Sequence, residues 1–142
     1  MRSADVVAAA RAWVGTPYRH RASKKGAGAD CVGLVRGIWR ELVGPERVAL
    51  PNYAPNWAEA GGEELLLTAL SQLFVPVEKV SQGAVLVFRW RRGVAAKHTG
   101  IAVSEDRFIH AYDGAGCVAE GPLVPFWRRR IVGVFAFPGV MD

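Results

Sequence analysis

Gly28-Ala29-Asp30-Cys31-Val32-Gly33-Leu34-Val35 joins a run of small residues to a capping carboxylate, a thiol and the start of an apolar-periodic segment. Asp is a favoured N-cap, because its side-chain oxygens accept the unpaired N–H groups of the first helical turn. The pattern predicts a helix from Cys31 to about Val43, stopped by Gly44-Pro45. Cys31 then holds the first helical position, where the dipole supplies about half a positive charge. That placement is expected to lower a thiol pKa, with the charge of Asp30 opposing it and a histidine needed as positive partner. Cysteine also serves as a small hydrophobe in protein cores, and Cys31 shares its helix face with Leu34, Val35, Ile38 and Leu42. Gly33 and Gly37 each cost about 1 kcal/mol against alanine, which predicts close approach by another backbone.

Upstream, Asp5 to Val14 is predicted as a helix, with Ser3 or Asp5 at its first turn and Val7, Ala10 and Val14 on one apolar face. Gly15-Thr16-Pro17-Tyr18 breaks it, and Arg19 to Gly28 is expected to be an exposed basic loop. Downstream, a Pro- and Asn-rich connection, Pro45 to Asn56, precedes a third helical pattern from Glu63 to Phe74 carrying Leu66, Ala69, Leu70 and Leu73. Beyond Pro76 the period changes to that of strands: 84–88, 98–103, 108–112, 117–119 and 131–135. Helices first and consecutive strands afterwards indicate an α+β fold, with N-terminal helices packed on a C-terminal antiparallel sheet. Arg89 to Lys97 is expected to protrude as a basic loop.

The 142 residues, 51% apolar and 22% charged, fit one globular domain over 1–142. No stretch reaches the length of a membrane span, and the five-residue apolar run Val6 to Ala10 is too short for a signal peptide. The expectation is synthesis in the cytoplasm, with any role outside needing a carrier. The formal charge of +5 includes Arg89-Trp90-Arg91-Arg92 and Trp127-Arg128-Arg129-Arg130. Such interleaving is compatible with nucleic acid, but no nucleic-acid module is recognisable, and a solvated or partner-contacting face is the expectation. A basic surface also suits an anionic wall polymer. Cys31 and Cys117 form no framework spacing, and a bridge between them would consume the thiol. Cys31, His98, His110 and Cys117 are not paired at metal-ligand spacing, so neither metal nor cofactor is expected.

His98 and His110 flank the turn Ser104-Glu105-Asp106-Arg107. In an antiparallel hairpin, opposed residues share a face and have a constant index sum. A sum of 210 sets His110 opposite Gly100 and makes the two histidines diagonal neighbours, with Gly100 leaving room between them. An odd sum would separate them. A nucleophile, a base and an orienting polar group make a thiol-hydrolase site. In that arrangement Cys31 attacks, His98 takes its proton, and His110 holds His98. The Cys31 N–H at the helix start and the Tyr18 hydroxyl are candidate oxyanion donors. His20, among arginines, is expected at the surface or against substrate, outside catalysis.

The segments Trp13-Val14-Gly15-Thr16-Pro17-Tyr18, Gly28 to Val35, Lys97 to Val103 and Phe108-Ile109-His110-Ala111 resemble the NlpC family of cell-wall cysteine peptidases. The resemblance implies a papain-like fold and hydrolysis of peptidoglycan stem peptides, typically between γ-D-glutamate and a diamino acid. It implies Cys31 as nucleophile, His98 as base, His110 as third polar residue and Tyr18 as the tyrosine near the thiol, with Tyr18 and Asp30 together as the substrate and oxyanion residues. Val32 stands where the family usually has serine, and Gly83-Ala84 where it usually has Gly-Asp. Trp39-Arg40-Glu41-Leu42 and the small size look most like the phage-tail and gene-transfer-agent branch. That implies tail hub or baseplate partners and action in the periplasm or cell wall. Two other readings are a structural tail-tip protein of the same fold with little activity, and a Cys–His amidase or acyltransferase.

Overall fold

The computed structural model describes residues 1–46 and 64–142. Helix α1 spans Ser3–Arg11, earlier than the pattern predicts, with Arg2 as N-cap and its N–H bonded to Asp5 Oδ2 at 2.8 Å. Its buried residues are Val6, Val7, Ala9 and Ala10, whereas Val14 lies beyond the helix and is 46% exposed. The chain turns away because Gly15 N–H donates to Val118 O at 2.8 Å, and buried Trp13 fills the place expected of Val14.

The stretch before Asp30 is more ordered than a loop. β1 (Ser23–Lys24) pairs antiparallel with β2 (Gly28–Ala29), turning through Gly26 at φ +80°, a conformation open to glycine without strain. Tyr18 bridges to Ala29 on the other side. The segment is thereby pinned on both flanks as it enters α2 (Cys31–Leu42).

Helix α2 starts as its capping residue dictates: Asp30 is extended, buried, and accepts from Gly33 N–H through Oδ1 at 2.7 Å. Gly33 has no room for a Cβ because the Ala22 carbonyl oxygen lies against it, a backbone approach as expected. At Gly37 the neighbour is instead the Trp13 indole ring. α3 covers Leu65–Leu73 and buries Leu66 and Leu70, while Glu63 and most of the connection from Pro45 to Asn56 lie outside the described residues.

Six strands form one antiparallel sheet: β3 (Val75–Pro76), β4 (Val85–Phe88), β5 (His98–Ala102), β6 (Arg107–Tyr112), β7 (Cys117–Pro122) and β8 (Ile131–Ala136). Their order is β3-β8-β4-β5-β6-β7, so β4 to β7 run as neighbours and the last strand inserts between β3 and β4. This is the expected α+β architecture. One face, with Val85, Val87, Ile101 and Ile109, packs against Val6, Leu34 and Ile38 of the helices. The other carries Leu86, Phe88, Ala102 and Phe108 and is covered by Leu123 and Trp127, the latter from a short helix α4 (Pro125–Arg128). In the described residues no helix is long and apolar enough to cross a membrane.

Candidate active site

The hairpin register between β5 and β6 pairs Ile101 with Ile109 and Ala102 with Phe108, an index sum of 210 in both cases. Even parity puts His98 and His110 on one face, and their rings meet with Nε2 of His98 2.8 Å from Nδ1 of His110. A Cβ on Gly100 would come within 3.3 Å of the His110 Cβ, so glycine keeps the diagonal open. The dyad occupies the face that holds Phe88 and Phe108. Thr99, one residue on, points to the helix side and donates its hydroxyl to Cys31 O at 2.9 Å. Thiol and dyad therefore converge around the start of β5, where Cys31 Sγ contacts Lys97 O at 3.7 Å. Cys31, His98, Tyr18, Asp30 and His20 line one cavity of about 340 Å³. His20 sits at its rim, with Nδ1 3.8 Å from Asp30 Oδ2.

Asp30 holds the thiol's position with both carboxylate oxygens: Oδ1 caps Gly33 and Oδ2 accepts from Arg21 N–H at 2.6 Å. With both oxygens accepting backbone N–H groups, what Asp30 contributes in this geometry is the placement of the helix start. The Cys31 amide is among the first-turn N–H groups that have no intrahelical acceptor.

The electrostatics correct the expectation of an acidified thiol. Burial first, and the charge of Asp30 second, push Cys31 up to about 11, against smaller opposing pulls from hydrogen bonds of Thr99 and Val32. The helix dipole is worth at most about 2 kcal/mol in partly buried settings, and desolvation of a thiolate outweighs it. Burial, reinforced by His110, holds His98 well below the usual histidine range, and burial lowers His110 to about 4. At neutral pH the resting site is a neutral thiol beside two neutral imidazoles. Burial, followed by the nearby Cys31 and two carboxylates, raises Tyr18 to about 12, so its hydroxyl stays a donor.

Three aromatic residues complete the site without having been singled out from sequence. Trp90 stacks on the His98 ring at 5.3 Å and 27°, and Tyr112 stacks on His110 at 5.4 Å and 11°. Trp127 touches both histidines, at 5.5 and 4.9 Å. Both tryptophans come from the arginine-rich segments expected as a solvated or partner-contacting face, the first of them in the loop expected to protrude. The 89–97 loop instead folds back, with Arg89 and Ala96 N–H bound to the Glu64 carboxylate at 2.7 and 2.9 Å and Ala95 and Ala96 buried. A tryptophan inside each arginine run was the available signal, since a large aromatic ring is a costly surface residue. Both cysteines are free thiols, and Cys117 pairs with Tyr112 across β6 and β7.

Residues 15–136 match the NlpC/P60 family. Over 118 residues the chain is 29% identical to an Escherichia coli protein named murein DD-endopeptidase MepS/murein LD-carboxypeptidase, covering 83% of this chain and 54% of that one. Over 133 residues it is 26% identical to the gamma-DL-glutamyl hydrolase of Bacillus subtilis, covering 93% of this chain and 29% of the relative. The chain thus spans about half the length, or less, of these relatives. Among solved structures, the NlpC/p60 domain of the peptidoglycan hydrolase SagA superposes with a TM-score of 0.65 at 21% identity, over 96% of this chain and 100% of that domain. With the fold and 122 consecutive residues in agreement, the chain belongs to the NlpC/P60 family of cell-wall peptidases.

Proposed function

We propose that this chain is a peptidoglycan hydrolase, a thiol endopeptidase acting on stem peptides with Cys31 as nucleophile. The observation that carries this is that His98, which lines the same cavity as Cys31, is held from behind by a 2.8 Å contact of its Nε2 with His110 Nδ1. Because Nε2 is engaged, the thiol proton goes to Nδ1 of His98 as Sγ attacks the carbonyl carbon. Nε2–H of His98 then donates to His110 Nδ1, which orients the ring and supports the imidazolium. The oxyanion accepts from the Cys31 N–H and the Tyr18 hydroxyl. When the C–N bond breaks, His98 returns its proton to the leaving amine. Water, deprotonated by the same nitrogen, then hydrolyses the thioester, and the thiol is restored. The high thiol pKa fits proton transfer coupled to attack, without a standing thiolate.

We place the scissile bond between γ-D-glutamate and the diamino acid, a reading supported by the name of the Bacillus subtilis relative. The name of the Escherichia coli relative concerns other bonds, a DD-peptide and an LD-carboxyl end. Delivery on a phage-like tail, with hub or baseplate proteins as partners and action in the periplasm or wall, is inferred from the Trp39-Arg40-Glu41-Leu42 resemblance. Digestion of diaminopimelate-type peptidoglycan, with fragments weighed by mass spectrometry, separates the options. A new diaminopimelate amino terminus from the wild type and none from Cys31→Ala is expected. Cross-link opening would move the bond to the DD-peptide, and undiminished hydrolysis by Cys31→Ala would refute the mechanism.

A further inference from the structure

Arg91, Arg92, Arg129 and Arg130, with Arg89, Trp90 and Val132, surround a depression of about 480 Å³ outside the cavity of Cys31. Trp90 lines both, so the two spaces adjoin at one side chain. Most of the positive charge here has no carboxylate partner among the described residues. Among the described residues the carboxylate engaged at this depression is Glu64, and it is bound by Arg89 at 2.7 Å. Arg91, Arg92, Arg129 and Arg130 have no carboxylate partner among the described residues. Arg130 is also fixed in place: it donates to Trp90 O at 3.0 Å and Phe126 O at 2.7 Å, and its guanidinium lies 3.8 Å from the Phe126 ring centre. It ties the 89–92 and 127–130 segments into one wall. Arg129 is held more loosely, its Nε donating to Pro125 O at 3.2 Å, and Arg91 and Arg92 are exposed. Guanidinium groups gathered at one space are suited to planar oxyanions, which they bind bidentately.

We propose that this depression is a carboxylate-binding subsite, which takes a free carboxylate of the stem peptide while the scissile bond lies over Cys31. The inference rests on the hydrolase reading above and deepens it by naming what sets substrate choice. Stem peptides carry free carboxylates on their glutamate, diamino acid and terminal residues, and amidation removes this charge without changing backbone length. The arginine wall therefore selects acidic over amidated stems. Since Arg91, Arg92 and Arg129 are exposed, the preference weakens as salt rises.

The test is binding of the soluble tetrapeptide L-Ala-γ-D-Glu-meso-diaminopimelate-D-Ala and its amidated form to the Cys31→Ala chain, followed by tryptophan fluorescence or calorimetry. The acidic peptide is expected to bind about tenfold more tightly, and Arg91→Gln with Arg129→Gln should bring the ratio close to one. Arg91→Lys with Arg129→Lys, which keeps the charge but loses the fork, should recover part of it. Equal affinity for both peptides, or a preference that survives the double variant, overturns the subsite. A glycerol-phosphate oligomer or oligonucleotide held more tightly than the acidic peptide by the same arginines also overturns it, in favour of a phosphate polymer. Selective binding by a chain whose wild type cleaves neither peptide refutes the hydrolase reading alone. Equal cleavage of both by the wild type refutes the subsite alone.

Discussion

The two halves of the candidate site are built in different ways. On the thiol side, Cys31 is held by polar contacts, most of them among neighbours close in sequence: Asp30 caps Gly33, Arg21 binds Asp30, and Ser23 Oγ donates to Gly33 O at 2.6 Å, with Thr99 of β5 adding its hydroxyl to Cys31 O. On the histidine side the holding groups are aromatic rings, Phe88 and Trp90 from the segment just before His98 and Trp127 from a distant one. The first half is a matter of backbone hydrogen bonds and one buried carboxylate. The second is a matter of aromatic packing that excludes water. The position of the nucleophile is thus set by polar contacts, mostly local, while the protonation state of its base is set by burial under aromatic rings.

Removing the nucleophile gives the largest effect. Cys31→Ala should lower turnover by about 10⁴-fold or more with the thermal transition retained, since removal of a nucleophile leaves only binding and oxyanion contributions. His110→Ala should come next, a drop of about 10²-fold in kcat read by steady-state kinetics, because Nε2 of His98 loses its acceptor. An unchanged kcat there would break the assignment of His110 as orienting group.

Trp127→Leu probes the packing half alone. It should cost about 1–3 kcal/mol in chemical denaturation and admit water to both imidazoles. Their pKa values then rise toward 6.5, so the acid limb of kcat/KM moves to higher pH. A limb that stays put would show that burial by this ring does not set the dyad. The same burial has a stability signature. His110 titrates at about 4 when folded and near 6.5 when unfolded. Between those values the unfolded chain binds the extra proton, so stability is intact above 6.5 and falls as pH drops toward 4. The slope is about 1.4 kcal/mol per pH unit for this one group. Urea titrations at pH 7, 6 and 5 measure it, and His110→Ala should flatten the curve.

Asp30→Asn addresses the local half and should give the smallest change. One acceptor is retained and the other becomes a donor facing an N–H, a loss of about 1 kcal/mol in thermal or urea unfolding. Loss of the negative charge should lower the thiol pKa below about 11, visible as faster iodoacetamide labelling at a given pH. Slower labelling would mean that Asp30 is not opposing the thiolate.

Much of the fold was legible where the physics is local. The helix start at Asp30 follows from capping, the strands from short apolar and β-branched runs bounded by turn residues, and the meeting of His98 with His110 from hairpin parity once the register is even. Most errors fall where distant partners decide. Val14 leaves the helix because β7 captures Gly15, and Gly37 makes room for a ring in place of a backbone. The small hairpin before Asp30 is a local miss, its strands paired across only four to six residues. The insertion of β8 between β3 and β4 has no local signature, because either side of β4 offers the same hydrogen-bonding edge. Trp90 and Trp127 were read with their arginines as surface, whereas each segment splits, ring inward and guanidinium outward.

The sequence by itself determined that a thiol opens a capped helix and that an even hairpin register would bring two histidines to one face, because capping and pleat act over a few residues; the structure supplied that register. Only the tertiary structure decided that thiol and dyad meet around the start of β5, and that all three groups rest neutral. It also set four guanidinium groups in the wall of the adjoining depression. These depend on desolvation and on contacts between segments tens of residues apart, which no local pattern encodes.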